Sequence, residues 1–263
     1  MPPKHLYKFE RLNEQTLRNL KNAQIYFNTP ASFNDPFDCS VLEASAVLDN
    51  KNVFEIFEHY INEKNIQLDF EINSIDDIPK KYINQIRNCI TQAFKEQQYK
   101  WLYKTGCTCF SEEKEHILLW SHYADGHKGI CLEFDTSFDP FPKAMKVNYS
   151  YNFPLISPMR LLDESDEFDD ETMKPLLTKY ECWDYEREWR LFHHEPNKPY
   201  GYPVDALKAV YFGSAVHETD VEIVCLILQG QSKNIKFYKA FKDNSSYCLR
   251  FEEFTYTPYI NKT

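Results

Sequence analysis

Short runs in which hydrophobic and polar positions alternate divide this chain into predicted strands, with helical spacing between them. Strand patterns occur at 5–9, 23–27, 106–110, 129–134, 144–151, 188–192, 207–213, 235–240 and 247–254. Helical patterns or helix-capping residues occur at 13–21, 112–123, 173–180 and 218–228. This order predicts a mixed α+β fold, in which about eight or nine strands form a mostly antiparallel sheet, either continuous or split, with flanking helices.

The segment from about 49 to 103 has a different character, because it is charged and its apolar residues recur at helical spacing. We interpret it as a helical insertion into a single α+β domain that spans residues 1–263. A further acidic stretch, 163–171, is typical of a solvated loop or a helix cap.

Composition narrows the partners that this chain would bind. Hydrophobic residues make up 43% and aromatic residues 16%, enough for a packed core, and only 6 glycines leave no glycine-rich phosphate loop. The formal charge of −10 opposes broad nucleic-acid binding and favours a small, nucleotide-like ligand or a protein partner. No signal peptide or membrane span is visible, so we expect a cytoplasmic protein whose 8 cysteines are reduced thiols, with no metal site.

The stretch from Trp120 to Asp135 is the first candidate site, because a polar and aromatic helix runs into a buried strand. His122 is a candidate proton shuttle, while Trp120 and Tyr123 would stack on a planar ring. Polar groups of Ser121 and Lys128 would add substrate contacts. The structural alternative is a core or capping role for the histidine and core packing for the two aromatic rings.

The second candidate site is the segment WDYEREWRLF, 183–192, whose end is predicted to be a strand. On a strand, Glu186, Glu188 and Arg190 point to one side of the sheet. Two carboxylates this close affect each other's protonation, so one of them would act as a base or hold a developing charge. The alternative is a charge ladder in which Arg190 pairs with Glu188 and no ligand is involved.

Two further positions carry a functional and a structural interpretation. Asn34 and Asp35 lie in a proline-rich turn between two phenylalanines, so they either stabilise the turn or line a pocket. Ser111 precedes two glutamates and is predicted to cap a helix that starts at Glu112.

Five segments together resemble a bacterial family known as domain-of-unknown-function family 2971. They are LYKF, IYFNTPASFNDPFD, CTCFSEE, LLWSHYADGHKGICLEFD and KYECWDYEREWRLF. The resemblance implies a role in bacterial phage defence or abortive infection, as a toxin-like effector. A more distant likeness is to ADP-ribosyltransferases, in which a polar residue on the first strand, a serine or aromatic residue on a middle strand and a late E-x-E glutamate share one site. Tyr7 or His5, Ser111, Tyr123 and Glu186-x-Glu188 occur here in that order.

The ADP-ribosyltransferase likeness implies a transferase or glycohydrolase, with NAD as candidate substrate and no certain cofactor. Its catalytic residues would be Glu188, His122 and Tyr7. The substrate-binding residues would be Trp120, Ser121, Tyr123, Lys128, Glu186, Arg190, Asn34 and Asp35. Two other hypotheses remain open: a nuclease or phosphodiesterase that uses His122, Lys128 and Arg190 on phosphate, and a non-catalytic sensor that binds a partner through the acidic stretch.

Overall fold

A computed structural model describes residues 1–41, 48–68, 72–160, 171–231 and 234–257 of the chain. It divides the chain into two compact units. The first unit comprises Met1–Thr29, Gly106–Val147 and Glu181–Thr263, and the second comprises Pro30–Thr105 and Asn148–Tyr180.

The regular elements are numbered in chain order. The strands are β1 His5–Glu10, β2 Gln24–Phe27, β3 Gly106–Ser111, β4 Ile130–Asp135, β5 Met145–Lys146, β6 Asn148–Ser150, β7 Thr178–Tyr180, β8 Glu188–His193, β9 Lys198–Gly201, β10 Leu207–Phe212, β11 Lys236–Lys242 and β12 Leu249–Phe254. The α-helices are α1 Glu14–Asn22, α2 Asn50–Glu63, α3 Lys80–Tyr99, α4 Ile117–Tyr123 and α5 Glu218–Gln229.

The first unit is built on an eight-stranded sheet with the order β12-β11-β10-β4-β1-β3-β8-β5. Its neighbouring strands are antiparallel, except that β10 and β11 run parallel. Strands β2 and β9 form a separate antiparallel pair. The predicted fold class, a mixed and mostly antiparallel sheet with flanking helices, is confirmed.

The two faces of this sheet differ in chemistry because side chains alternate along each strand. One face, the core face, carries Leu6, Phe134, Leu191 and Phe212, which pack into a large cluster with apolar residues of α1 and α5. The opposite face, the polar face, carries Tyr7, Ser111, Glu133, Glu188 and Arg190. Apolar residues of α4 pack on part of the polar face, and the charged groups lie beside them.

The second unit contains α2 and α3, within the segment that the sequence predicts to be helical. These helices pack through Val53, Ile56, Ile90 and Phe94. The parallel pair β6–β7 completes the regular structure described here. Residues 163–170 of the acidic stretch lie outside the described residues.

Four sequence predictions of element boundaries are wrong. The described residues contain twelve strands, more than the eight or nine expected. The run 144–151 forms two short strands interrupted at Val147, and 173–180 ends as a strand and not as a helix. Helix α4 begins at Ile117, not at Glu112. No described helix has both the length and the apolar character needed to cross a membrane.

Candidate active site on the polar face of the sheet

Four polar side chains form a row across neighbouring strands of the first unit. Glu133 on β4 lies opposite Tyr7 on β1, Tyr7 lies opposite Ser111 on β3, and Ser111 lies opposite Glu188 on β8. Residues that are directly opposite in paired strands point to the same face and are in contact range. We call these four residues the carboxylate row. Ser111 and Glu188 within it are each 4% exposed.

Arg190 fixes the position of the Glu188 carboxylate. It lies two residues further along β8, so its side chain shares the polar face. Its Nε donates to Glu188 Oε1 at 2.7 Å, and a terminal guanidinium nitrogen donates to Oε2 at 3.2 Å. The Arg190 side chain is fully buried. The ion pair that the sequence left open as an alternative is therefore present, and both residues also make further contacts.

Glu186 is held by two neighbours, although it does not belong to β8 as predicted. It ends a 3₁₀ helix at 181–186, and Arg187 then adopts a φ of 44°, which breaks the expected alternation before β8 begins. The hydroxyl of Tyr123 donates to Glu186 Oε1 at 2.6 Å. The hydroxyl of Ser111 donates to the backbone oxygen of Glu186, also at 2.6 Å. The predicted helix-capping role of Ser111 is wrong, because α4 starts six residues later.

Tyr7 lies in an aromatic and acidic environment at the centre of the carboxylate row. Glu133 Oε2 accepts from the Tyr211 hydroxyl at 2.5 Å, and Glu133 Oε1 lies 3.1 Å from His5 Nδ1. The Lys114 ammonium lies 5.5 Å from the centre of the Tyr7 ring. Burial, followed by the charge of Glu133, raises the pKa of Tyr7 well above its usual value, so its phenol keeps the proton near neutral pH.

Helix α4 connects this environment to the candidate loop of the sequence. Trp120 is completely buried, with its ring 5.2 Å from Phe9, and its indole nitrogen donates to the backbone oxygen of Lys114. The predicted ligand-stacking role of Trp120 therefore gives way to core packing. His122 is exposed, and its ring lies 6.1 Å from that of Trp183.

The loop after α4 turns through left-handed backbone at Asp125, Gly126 and His127, with φ values of 49°, 60° and 69°. This agrees with the predicted helix end at Asp125-Gly126. Ser121 is exposed and donates to a backbone oxygen of its own helix at 3.0 Å, while Lys128 is exposed at the end of the loop. The structure thus places Ser121 and Lys128 at the surface.

Asn34 and Asp35 belong to the second unit. Asn34 is exposed, and Asp35 Oδ1 accepts a hydrogen bond from the backbone nitrogen of Phe37 at 2.9 Å. The turn-stabilising interpretation of Asp35 is thus visible in the structure. Asp35 and Phe37 also line a cavity, which is considered below.

Sequence reasoning missed several residues that surround Tyr7 and Glu186. Glu133 is the single acid in the apolar run GICLEF, and an acid inside a buried strand is a signal that points to a polar partner. Tyr211, its partner, lies 78 residues further along the chain and gives no local signal. The stacked pair of His116 and Tyr185, whose ring centres are 4.9 Å apart, is similarly invisible in sequence.

Glu112 anchors the start of the segment that leads from β3 to α4. Burial disfavours its ionised form, but hydrogen bonds from Trp189 Nε1 at 2.7 Å and Lys146 Nζ at 3.1 Å outweigh that effect and lower its pKa. The segment is therefore bound to the sheet at both ends, through Glu112 and through Tyr123.

The described geometry joins the late carboxylates to the α4 segment on one face of one sheet. Comparison with known proteins supplies a family for part of it. Residues 119–191 match the family described as Protein of unknown function (DUF2971). The matched stretch runs from Leu119 in α4 to Leu191 in β8, so it includes Tyr123, Glu188 and Arg190. None of the curated proteins and none of the solved structures matches the chain.

The chemistry that this arrangement can perform is that of an oriented carboxylate beside hydroxyl groups. Within the described ranges, no group of three or more His, Cys, Asp or Glu side chains is placed to hold a metal ion. A carboxylate whose orientation is fixed by a guanidinium can accept hydrogen bonds from substrate hydroxyls or stabilise a developing positive charge.

Proposed function

We propose that the carboxylate row is the reaction centre of an NAD-using enzyme, either an ADP-ribosyltransferase or an NAD glycohydrolase. The observation that carries the proposal is the placement of Tyr7, Ser111 and Glu188 on three neighbouring strands, directly opposite one another on one face. The resemblance to ADP-ribosyltransferases implied these residues, in this order, for a shared site.

The proposed reaction breaks the bond between ribose C1′ and the nicotinamide nitrogen. The bonding electron pair goes to the nitrogen, so the cationic pyridinium leaves as neutral nicotinamide and positive charge develops on the ribose. An oxygen of water or of an acceptor then bonds to C1′ and loses its proton. A fixed carboxylate near the ribose stabilises the positively charged transition state.

Glu188 is the residue assigned to that charge. Its two carboxylate oxygens are oriented by Arg190, so the group would not have to reorganise as charge develops on the ribose. Arg190 is therefore a positioning residue in this proposal, and not a direct ligand of the substrate.

Tyr7 is assigned to substrate binding at the centre of the row. Its raised pKa keeps the hydroxyl protonated, so it acts as a hydrogen-bond donor and not as a base. Its hydroxyl has no hydrogen-bond partner within the described part of the chain. His122, which is exposed at the end of α4, is assigned to accept the proton of the incoming nucleophile.

The phosphodiesterase alternative is less well supported by the same geometry. It needs Arg190 on a phosphate, whereas the Arg190 guanidinium is fully buried and bound to Glu188. The sensor alternative depends on the acidic stretch 163–171, of which 163–170 lie outside the described residues. Consumption of NAD would harm the cell that makes the protein, which suits the toxin-like defence role that the family resemblance implies.

The test is release of nicotinamide from NAD by the purified protein, measured by chromatography, together with NAD binding by calorimetry. We expect release by the wild type and a loss of about 100-fold or more in Glu188→Gln, the scale for removing one preorganised electrostatic group. Glu181→Gln, an exposed acid in the 3₁₀ helix before β8, is the matched control and should keep full activity.

Tyr7→Phe keeps the ring and removes only the hydroxyl, so it tests the row without breaking an ion pair. It should retain the wild-type melting temperature and lose about tenfold or more in kcat/KM, the scale of one lost hydrogen bond to a substrate. Absence of both NAD binding and nicotinamide release in the wild type would remove the proposal. Equal activities of Glu188→Gln and wild type would remove Glu188 from it.

A further inference from the structure

The second unit contains a small cavity surrounded by aromatic rings. Its volume is about 330 Å³, within the range of pockets that bind small ligands. The residues that matter for the argument are Phe37, Tyr151, Tyr180, Asp35 and Lys179. We call this cavity the aromatic pocket. It is made by two stretches of chain, the turn at 35–40 and the pair β6–β7 with the residues that follow β6.

The aromatic rings of this pocket are unusually exposed. Phe37 is 65% exposed, Tyr151 is 73% exposed and Tyr180 is 43% exposed. The Tyr151 and Tyr180 ring centres are 6.0 Å apart and inclined at 60°. Large apolar rings grouped at a concave surface mark a place where another molecule binds, because stacking on them removes their faces from water.

The charges of the pocket select among ligands. Lys179 lines it with a side chain that is only 4% exposed, and its ammonium lies 3.7 Å from Asp38 Oδ2, so that buried pair is neutral overall. The remaining ionised group of the lining is Asp35. An anionic ligand would meet this carboxylate without a compensating cation, whereas a neutral or cationic ligand would not be repelled.

Hydrogen-bonding groups accompany the rings. Ser40 and Asn152 also line the pocket and offer both donors and acceptors. The Asp35 carboxylate accepts from the Phe37 backbone, and carboxylate oxygens accept more than one hydrogen bond each. Aromatic faces beside a carboxylate and an amide are the combination that binds the edge and the plane of a heteroaromatic ring.

We propose that the aromatic pocket is a binding site for a planar heteroaromatic ring that is neutral or cationic and carries N–H donors. A purine nucleoside without phosphate groups is the test ligand. The volume suits one fused ring system, while an extended peptide would need a longer groove. This proposal does not depend on the carboxylate row, which belongs to the first unit.

The experiment is saturation-transfer NMR on the full chain with adenosine, with adenosine monophosphate and with a proline-rich peptide. We expect saturation of the adenine protons in adenosine and weaker binding of the monophosphate, because of Asp35. Phe37→Ala and Tyr151→Ala should each weaken adenosine binding by about tenfold, the scale of one lost stacking contact. Both residues are exposed, so the variants should fold, which a thermal melt checks.

Two control variants make the result specific. Tyr247→Ala removes a ring that is 97% exposed in the first unit and should not change binding. Glu188→Gln should also leave adenosine binding unchanged, which separates this site from the proposed reaction centre.

Four results would overturn the proposal. They are no adenosine binding at about 10 mM, unchanged binding by the Phe37→Ala/Tyr151→Ala double variant, tighter binding of the monophosphate than of the nucleoside, and binding of the peptide alone.

Discussion

Replacement of Arg190 by Met should destabilise the first unit strongly, because it leaves the Glu188 carboxylate buried without its partner. The two side chains are 0% and 5% exposed and share two hydrogen bonds, of 2.7 and 3.2 Å. Unit charges about 4 Å apart at an effective dielectric constant of about 20 attract by roughly 4 kcal/mol. Removal of one partner from a buried pair costs about 3–5 kcal/mol by experiment on other proteins, which agrees with that figure.

The double variant Glu188→Leu/Arg190→Met tests whether the loss arises from the pair. With both charges removed, no buried charge lacks a partner, so the double variant should lose clearly less stability than the sum of the two single variants. We expect a coupling free energy of about 1–3 kcal/mol. The double variant should still be less stable than wild type, because both residues make other contacts as well.

Urea unfolding followed by tryptophan fluorescence is the suitable assay, since Trp120, Trp183 and Trp189 all belong to the first unit. Glu14→Gln is the matched control, because Glu14 forms an ion pair with Arg18 in which the side chains are 78% and 70% exposed. That variant should cost less than about 1 kcal/mol. The reasoning is refuted if Arg190→Met costs as little as the control, or if the two single losses simply add in the double variant.

Three further predictions concern pH and local geometry. The lowered pKa of Glu112 stabilises the fold above the ordinary value of 4.5, and this contribution is lost as the pH falls below it, so Glu112→Gln should flatten the acid side of a stability profile measured by urea unfolding. A side chain on Gly213 would overlap the carbonyl of His127, so Gly213→Ala should lower the melting temperature far more than Gly126→Ala, whose added carbon meets only open space and a left-handed φ costing about 1 kcal/mol. Asn13 Oδ1 caps α1 by accepting from a backbone nitrogen at 2.9 Å, so Asn13→Ala should cost about 0.5–2 kcal/mol in urea unfolding.

Local signals in the sequence were sufficient where a single contact nearby determines the structure. The Asn13 cap and the helix end at Asp125-Gly126 are examples, because each depends on residues within a few positions. The alternation of β1 and β4 was also readable, since one face of each strand enters the core. These local signals were enough to predict the fold class.

Boundaries failed where a distant partner decides the conformation. Ser111 has the sequence of a helix cap, but its hydroxyl donates to the backbone of Glu186, 75 residues away, and β3 extends to include it. Glu186 was predicted to share a strand with Glu188, and the left-handed backbone of Arg187 between them prevents that. No local pattern reveals a hydrogen bond between such distant segments.

The candidate site was predicted in part. Tyr7, Ser111 and Glu188 were singled out from the sequence, but their placement in one row depends on the strand order β1-β3-β8, which no local pattern specifies. Trp120 shows the converse limit, because an aromatic residue on a helix is compatible with either core or ligand until its burial is known.

The most direct measurement of the central claim is a crystal structure of Glu188→Gln with NAD bound, since this variant should bind the dinucleotide but not cleave it. The account predicts the ribose that carries nicotinamide within hydrogen-bond distance of residue 188, with Tyr7 and Ser111 beside it. Dinucleotide bound away from the carboxylate row, in a variant that retains its fold, would contradict it.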